Sequence, residues 1–246
     1  VVMNLTKPTG EKPALLTLSE VETFLHEFGH SLHGMFANSR FESLSGTNVL
    51  WDFVELPSQF MENFSVEKEF LSTFAFHYKT GEAIPGELID RIVRSRNFMA
   101  AMACMRQVSL GLLDMAYYTR SDEFDEDIQT FERKAWAKAI VAKKRHDLNT
   151  CMTVQFSHIM AGGYAAGYYS YKWAEVLDAD AFSVFRKNGI FDRQTAQSFR
   201  DNILSRGGTE HPMVLYKRFR GGEPTIDALL RRNGIKKAGA KGDKKK

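Results

Sequence analysis

Cysteine is nearly absent from this chain: Cys104 and Cys151 are the two in 246 residues, isolated and without Cys-x-x-Cys spacing. That excludes a disulfide scaffold and a thiolate metal site, and both are read as buried thiols in a reducing compartment. No apolar run approaches the ~20 residues of a membrane span, and no signal-peptide pattern is visible, so no membrane partner is expected and the cytoplasm is the expected location. An excess of one charge is also missing, with 33 Lys and Arg against 30 Asp and Glu and a net charge of +3. Part of that excess is the C-terminal "KKAGAKGDKKK", read as a disordered, solubilising lysine tail over 236–246. Nowhere do basic and aromatic residues interleave as a nucleic-acid face requires, so no nucleic-acid partner is expected. Alternating strand patterns are confined to Val1–Leu5 and to 40–50, and no internal repeat is found.

What remains is helix after helix, in a chain long enough for one large domain or two small ones. Residues 86–119 carry Met, Leu and Ala at helical spacing and read as a pair of core helices, the methionines filling irregular gaps. "DEDIQTFERKAWAKAI" (125–140) begins acidic and ends basic, in agreement with the helix dipole. Residues 170–187, 192–205 and 225–232 continue the pattern, each bounded by Gly, Asp or Pro.

The chemistry is concentrated in "FLHEFGHSLH" (24–33). Ser19 and Glu22 form a Ser-x-x-Glu capping box, followed by Val21, Phe24, Leu25, Phe28 and Leu32 at helical spacing. On such a helix His26 and His30 are one turn apart, about 6 Å along the axis, and can close on one ion from the same side. His33 stands about 10.5 Å from His26 and should not join them. Glu27 lies beside that face, as the base and not a ligand of a His-Glu-x-x-His site. The metzincin pattern would need Gly at 33 and His at 36, where this chain has His33 and Phe36. A third ligand should therefore come from another element. "DFVELPSQFMENF" (52–64) offers one: with Asp52 as N-cap, Glu55, Gln59 and Glu62 share a face. That face is either a solvated polar surface or a carboxylate cluster seeking a cation.

Together these motifs resemble the thimet-oligopeptidase family of zinc metallopeptidases: "HEFGH" at 26–30, "DFVELPSQ" with Glu55 25 positions beyond His30, and "KPTGEKPALLTLSEVETFLHEFGH" leading into the zinc helix. "FSHIMAGGYAAGYYSYKW" (156–173) is similar to that family's glycine- and tyrosine-rich substrate loop, in the version of the peptidyl-dipeptidase and oligopeptidase A branch. The resemblance reaches to about residue 235, so 1–235 is expected to be the C-terminal catalytic part of a larger peptidase. It implies a mainly α, zincin-like metallopeptidase domain with a minor strand component, holding one Zn2+ ion. It makes His26, His30 and Glu55 the ligands and Glu27 the general base. Tyr164 and Tyr171 would face the scissile carbonyl, with His158, Tyr168, Gly162 and Gly163 contacting substrate. His158 stands one position further from Tyr164 than in mammalian members.

The residue types suit that chemistry. Two imidazoles and a carboxylate leave zinc an open position, Glu27 can take a proton from water, and a tyrosine hydroxyl donates to a tetrahedral oxyanion. Glycines at 162, 163 and 167 let the loop backbone fold close to a peptide or move as a lid. "GGYAAGYYSYKW" also reads as an aromatic helix start packed in a core.

The expected function is hydrolysis of short peptides by release of C-terminal dipeptides, with general oligopeptidase cleavage as the runner-up. A second class is a non-catalytic zinc-binding fragment, because the family's helical N-terminal half, the expected partner and other wall of its channel, is missing from this chain. Arg206 suits a substrate carboxylate, and equally a helix C-terminal arginine before a glycine cap.

Overall fold

The structure, a computed structural model, describes residues 1–140 and 150–235; the expected lysine tail lies outside the described residues. Among the described residues eleven α-helices follow one another: α1 (Leu18–Met35), α2 (Leu56–Glu62), α3 (Lys68–Leu71), α4 (Gly86–Arg96), α5 (Ala100–Tyr118), α6 (Ile128–Trp136), α7 (Ser157–Met160), α8 (Ser170–Asn188), α9 (Arg193–Phe199), α10 (Pro212–Arg220) and α11 (Asp227–Arg232). The fold is mainly α, as expected. The minor strand component is not formed among the described residues, where β pairing is limited to the isolated bridges Thr9–Lys12 and Phe76–Ala83. Val1–Leu5 has no ladder partner, and within 40–50 the chain makes a 3-10 turn at Glu42–Leu44. A strand needs a neighbour to take its backbone groups, and neither stretch has one here.

The chain divides into two compact units, Val1–Leu50 with Val54–Asn97 and Glu175–Lys246, and Trp51–Phe53 with Phe98–Ala174. In the first, α1 starts on a capping box made by Thr17 and Glu20, two residues before the expected pair. Both pairs fit the pattern, but Glu20 also takes the amide and hydroxyl of Thr6, each at 2.6 Å. Those bonds, the Thr6 hydroxyl foremost, hold its carboxyl down to about 2. Glu22 instead meets Arg96 at 3.2 Å. Helix α2 begins at Leu56 and not at Asp52, because Pro57 has no N–H and is tolerated only in a first turn. The core of this unit is aromatic: Phe60 stacks on Phe199 at 4.2 Å, with Phe64, Phe182, Phe185 and Phe219 packed edge-on around them.

Two buried ionic knots tie the C-terminal helices to this core. Asp180 accepts from Tyr216 at 2.8 Å and from Arg220 at 2.8 and 3.1 Å. Asp178 binds Arg232 and takes the Asn63 amide at 2.7 Å, while Arg232 donates to the Asn63 oxygen at 3.0 Å. Burial pushes the Asp178 carboxyl up to about 6 even against Arg232 and Asn63.

The second unit is built on Leu110, Leu113, Phe131, Trp136, Phe156, Ile159 and Tyr168. The expected helix pair at 86–119 is present as α4 and α5, but its methionines are not core residues: Met99, Met102 and Met115 are exposed. The inward stripe of α5, with Ser109, Leu110, Leu113 and Asp114, lies in its second half; Met102 falls on the same face nearer the start of the helix, where it is exposed, and Met115 falls on another face. Cys104 and Cys151 are free and half-buried, not buried; Cys151 donates to the buried Glu132 carboxylate, which also caps the amides of Met152 and Thr153. No helix among the described residues is long and apolar enough to cross a membrane.

Candidate functional site

Helices α1 and α2 cross at Gly29, within the His-Glu-x-x-His stretch. A Cβ there would stand 2.4 Å from the Pro57 carbonyl oxygen and 2.5 Å from the Ser58 Cα. Only a residue without a side chain permits this approach, and the approach brings the head of α2 against the histidines. Leu25, Gly29 and His33 form the buried stripe of α1, which turns His26 and His30 toward Glu55.

The three expected donors converge. His26 Nε2 and His30 Nε2 each lie 3.3 Å from the same oxygen, Glu55 Oε2, and the imidazoles meet edge-on with centroids 5.0 Å apart. Ligands placed tetrahedrally at 2.0–2.1 Å from zinc stand about 3.3–3.4 Å apart, so the observed spacing suits one such ion. Among the described residues, His26, His30 and Glu55 form the group of metal-capable side chains whose donor atoms lie within 4.8 Å of one another. Glu55 is 2 % exposed, and a buried carboxylate needs a cation or hydrogen bonds; Ser58 supplies one at 2.7 Å.

Glu62, placed on the Glu55 face by the sequence but given no role, is the residue sequence reasoning undervalued. Its Oε1 lies 2.6 Å from His26 Nδ1, fixing the ring so that Nε2 points at Glu55. The i, i+7 spacing from Glu55 was the available signal. Burial opposes protonation of His26, but hydrogen bonds with Glu55 and Glu62 outweigh it and push the imidazole up to about 10. The two carboxylates thus make this point favourable for a positive charge, proton or metal alike. His33 stands outside the donor group. It is 0 % exposed, and burial followed by the charge of His30 pushes it down to about 4, so it is a neutral core residue at pH 7. Glu27 is half-buried. Its carboxylate has no hydrogen-bond or ionic partner among the described residues.

In the second unit the glycine- and tyrosine-rich stretch joins α7 to α8. Tyr164 and Tyr171 stack at 5.0 Å, and His158 sits 5.8–5.9 Å from the rings of Tyr164, Tyr168 and Tyr171. The structure places these four together. Tyr168 is buried in the unit's core, while His158 is exposed and Tyr164 and Tyr171 are half-buried. Gly163 and Gly167 lie against the Trp51 indole, where a Cβ would come within 3.2 and 3.0 Å, and a Cβ on Gly162 would meet the His158 backbone at 3.0 Å. Asp52, expected as a cap, accepts instead from Tyr169 at 3.1 Å. Arg206 is held by Glu210 at 2.9 Å, and Glu210 also takes Arg218. Gly207 follows in the left-handed conformation, so the helix-end reading of Arg206 fits.

Two histidines of a His-Glu-x-x-His helix and a glutamate at the head of a second helix close on one point, an arrangement able to hold a single metal ion. The chain belongs to Peptidase family M3, a metallopeptidase family, which matches residues 1–235. It is 50% identical over 236 residues to Oligopeptidase A of Escherichia coli (strain K12), covering 95% of this chain and 34% of that protein. It is 38% identical over 239 residues to Dipeptidyl carboxypeptidase of the same strain, covering 95% and 34%, and 34% identical over 242 residues to Saccharolysin of Saccharomyces cerevisiae (strain ATCC 204508 / S288c), covering 96% and 33%. The chain spans about a third of the length of these curated relatives.

Proposed function

We propose that this chain is the zinc-binding part of a peptidase that hydrolyses peptide bonds in short peptides. The observation that carries the reading is the convergence of His26 Nε2 and His30 Nε2 on Glu55 Oε2 at 3.3 Å. These three residues would hold one zinc ion, with Glu62 orienting His26 and Ser58 orienting Glu55. Zinc, when bound, supplies Lewis acidity that acidifies water and polarises a carbonyl. Glu27 accepts the proton of the attacking water and returns it to the departing amine. Tyr164 and Tyr171 donate hydrogen bonds to the tetrahedral oxyanion, and His158, Tyr168, Gly162 and Gly163 shape the peptide's surroundings. These roles rest on the family's motif.

Cleavage within short peptides is favoured by the 50% identity to Oligopeptidase A. Release of C-terminal dipeptides is the second reading, favoured by the 38% identity to Dipeptidyl carboxypeptidase. An upstream part supplies the other wall of the substrate channel, and the site of action is the cytoplasm. The test is digestion of a blocked peptide ladder by the full natural polypeptide, with the products weighed. Turnover that is lost with a chelator, restored by zinc and cut on the order of 100-fold in Glu27→Gln is expected. Near-normal turnover in Glu27→Gln, or none in the unaltered protein loaded with zinc, refutes the proposal. Stepwise loss of two residues from the C-terminus selects the second reading.

A further inference from the structure

The structure assigns Asp114 as the positioning residue of the tyrosine loop, the carboxylate that fixes its backbone so that the tyrosines are presented in one arrangement. This rests on the peptidase reading above, in which Tyr164 and Tyr171 act on substrate. Asp114 sits in α5 and is 0 % exposed. Burying a carboxylate is costly unless its oxygens are satisfied, and strong bonds from N–H groups are one way to satisfy them. Here Oδ1 accepts the amide of Ala166 at 2.8 Å and Oδ2 accepts the amide of Tyr168 at 2.9 Å, from positions 52 and 54 residues along the chain. One side chain thus grips two alternate amides of the loop.

The grip has a conformational signature. Ala166 has φ +52°, a left-handed backbone that a residue with a Cβ adopts only when its surroundings impose it. The Trp51 indole also lies against Gly163 and Gly167 and packs on Tyr164 with centroids 4.9 Å apart. Within the segment the chain turns tightly, the Gly167 amide donating to the Tyr164 carbonyl at 2.9 Å. A glycine-rich loop would by composition be mobile; this one is fastened at its centre. Fastening sets the hydroxyls of Tyr164 and Tyr171 before substrate arrives, which is what a donor to a developing oxyanion requires.

The experiment compares the metal-loaded full natural polypeptide with Asp114→Asn, which keeps the side-chain shape but turns an N–H donor toward one of the two amides. Hydrogen exchange across 163–170, acrylamide quenching of Trp51 (read against Trp51→Phe), zinc affinity, and kcat and KM on a short peptide are measured. Faster exchange at 166–168, greater quenching, unchanged zinc affinity and a kcat lowered on the order of 10-fold with a much smaller change in KM are expected. Unchanged exchange and quenching, or loss of stability with kcat and KM unaltered, overturns the assignment. Should Asp114→Asn not fold, the unaltered protein still decides, because the Ala166 and Tyr168 amides must exchange more slowly than that of Ala165; equal rates overturn it. Absence of peptidase activity in the unaltered protein refutes the reaction proposed above, and the exchange data then judge the anchor independently.

Discussion

Replacing Gly29 with alanine tests whether the helix crossing, and not the donors alone, makes the proposed metal centre. The added Cβ would fall 2.4 Å from the Pro57 oxygen, 2.5 Å from the Ser58 Cα and 2.8 Å from the Pro57 carbonyl carbon. Each distance is about 1 Å short of ordinary contact, and all three atoms are backbone, so no side chain can swing aside. Helix α2 must retreat by roughly that amount, carrying Glu55 away from both imidazoles. Overpacking of this kind costs about 1–3 kcal/mol, offset by the ~1 kcal/mol that alanine gains over glycine inside a helix. A net loss of up to about 2 kcal/mol is expected, which for a chain of this size lowers Tm by up to about 8 °C. The larger effect is on the metal, because an edge that suits zinc at 3.3 Å no longer does once α2 retreats. Zinc affinity should fall at least on the order of 10-fold, as when a metal site's supporting groups are removed. Competition with a chromophoric chelator and denaturant unfolding of metal-free protein would measure the two effects separately. Wild-type zinc affinity together with an unfolding midpoint equal to or above that of the parent would refute the reasoning.

His26→Ala, His30→Ala and Glu55→Ala should each abolish stoichiometric zinc binding in equilibrium dialysis. His33→Ala should keep it while losing stability, since His33 fills a fully buried position outside the donor group. Glu62→Gln should weaken zinc binding about 10–100-fold without unfolding the chain, because His26 loses the carboxylate on Nδ1; unchanged affinity would remove Glu62 from the site. Arg232→Met should cost about 3–5 kcal/mol in urea unfolding at pH 7, where it strands a buried Asp178 carboxylate. That cost should shrink as pH falls toward about 6 and level off below it, because without Arg232 the Asp178 carboxyl is pushed up further and takes its proton at higher pH than in the parent; a deficit independent of pH between 5 and 8 would contradict this.

The helical order and the face shared by His26 and His30 were legible in the sequence, for reasons that are local. Helical periodicity sets the faces of α1, and the one-turn spacing of His26 and His30 requires nothing from the rest of the chain. Glu55 became legible because "DFVELPSQ" is a family motif; its place among residues 52–64 left a solvated face equally open. Where two local signals competed, the outcome depended on partners distant in sequence. Thr17 prevails over Ser19 as cap because Thr6 adds two bonds to Glu20, and Asp52 leaves the head of α2 for the Tyr169 hydroxyl. The strand expected at Val1–Leu5 does not form, because pairing is a property of two segments and the described residues supply one.

Tertiary structure alone decided the rest. Gly29 reads in the sequence as a weak helix residue and becomes indispensable only because Pro57 and Ser58 pass within contact of it. Glu62 is one more acid on a polar face until packing brings it to His26 Nδ1. Asp114 looks like an unfavourable charge in an apolar helix until two amides from more than fifty residues away surround it. Spacing along a chain fixes which side chains share a face, whereas the groups facing them are fixed by helices whose separation in sequence carries no local signal.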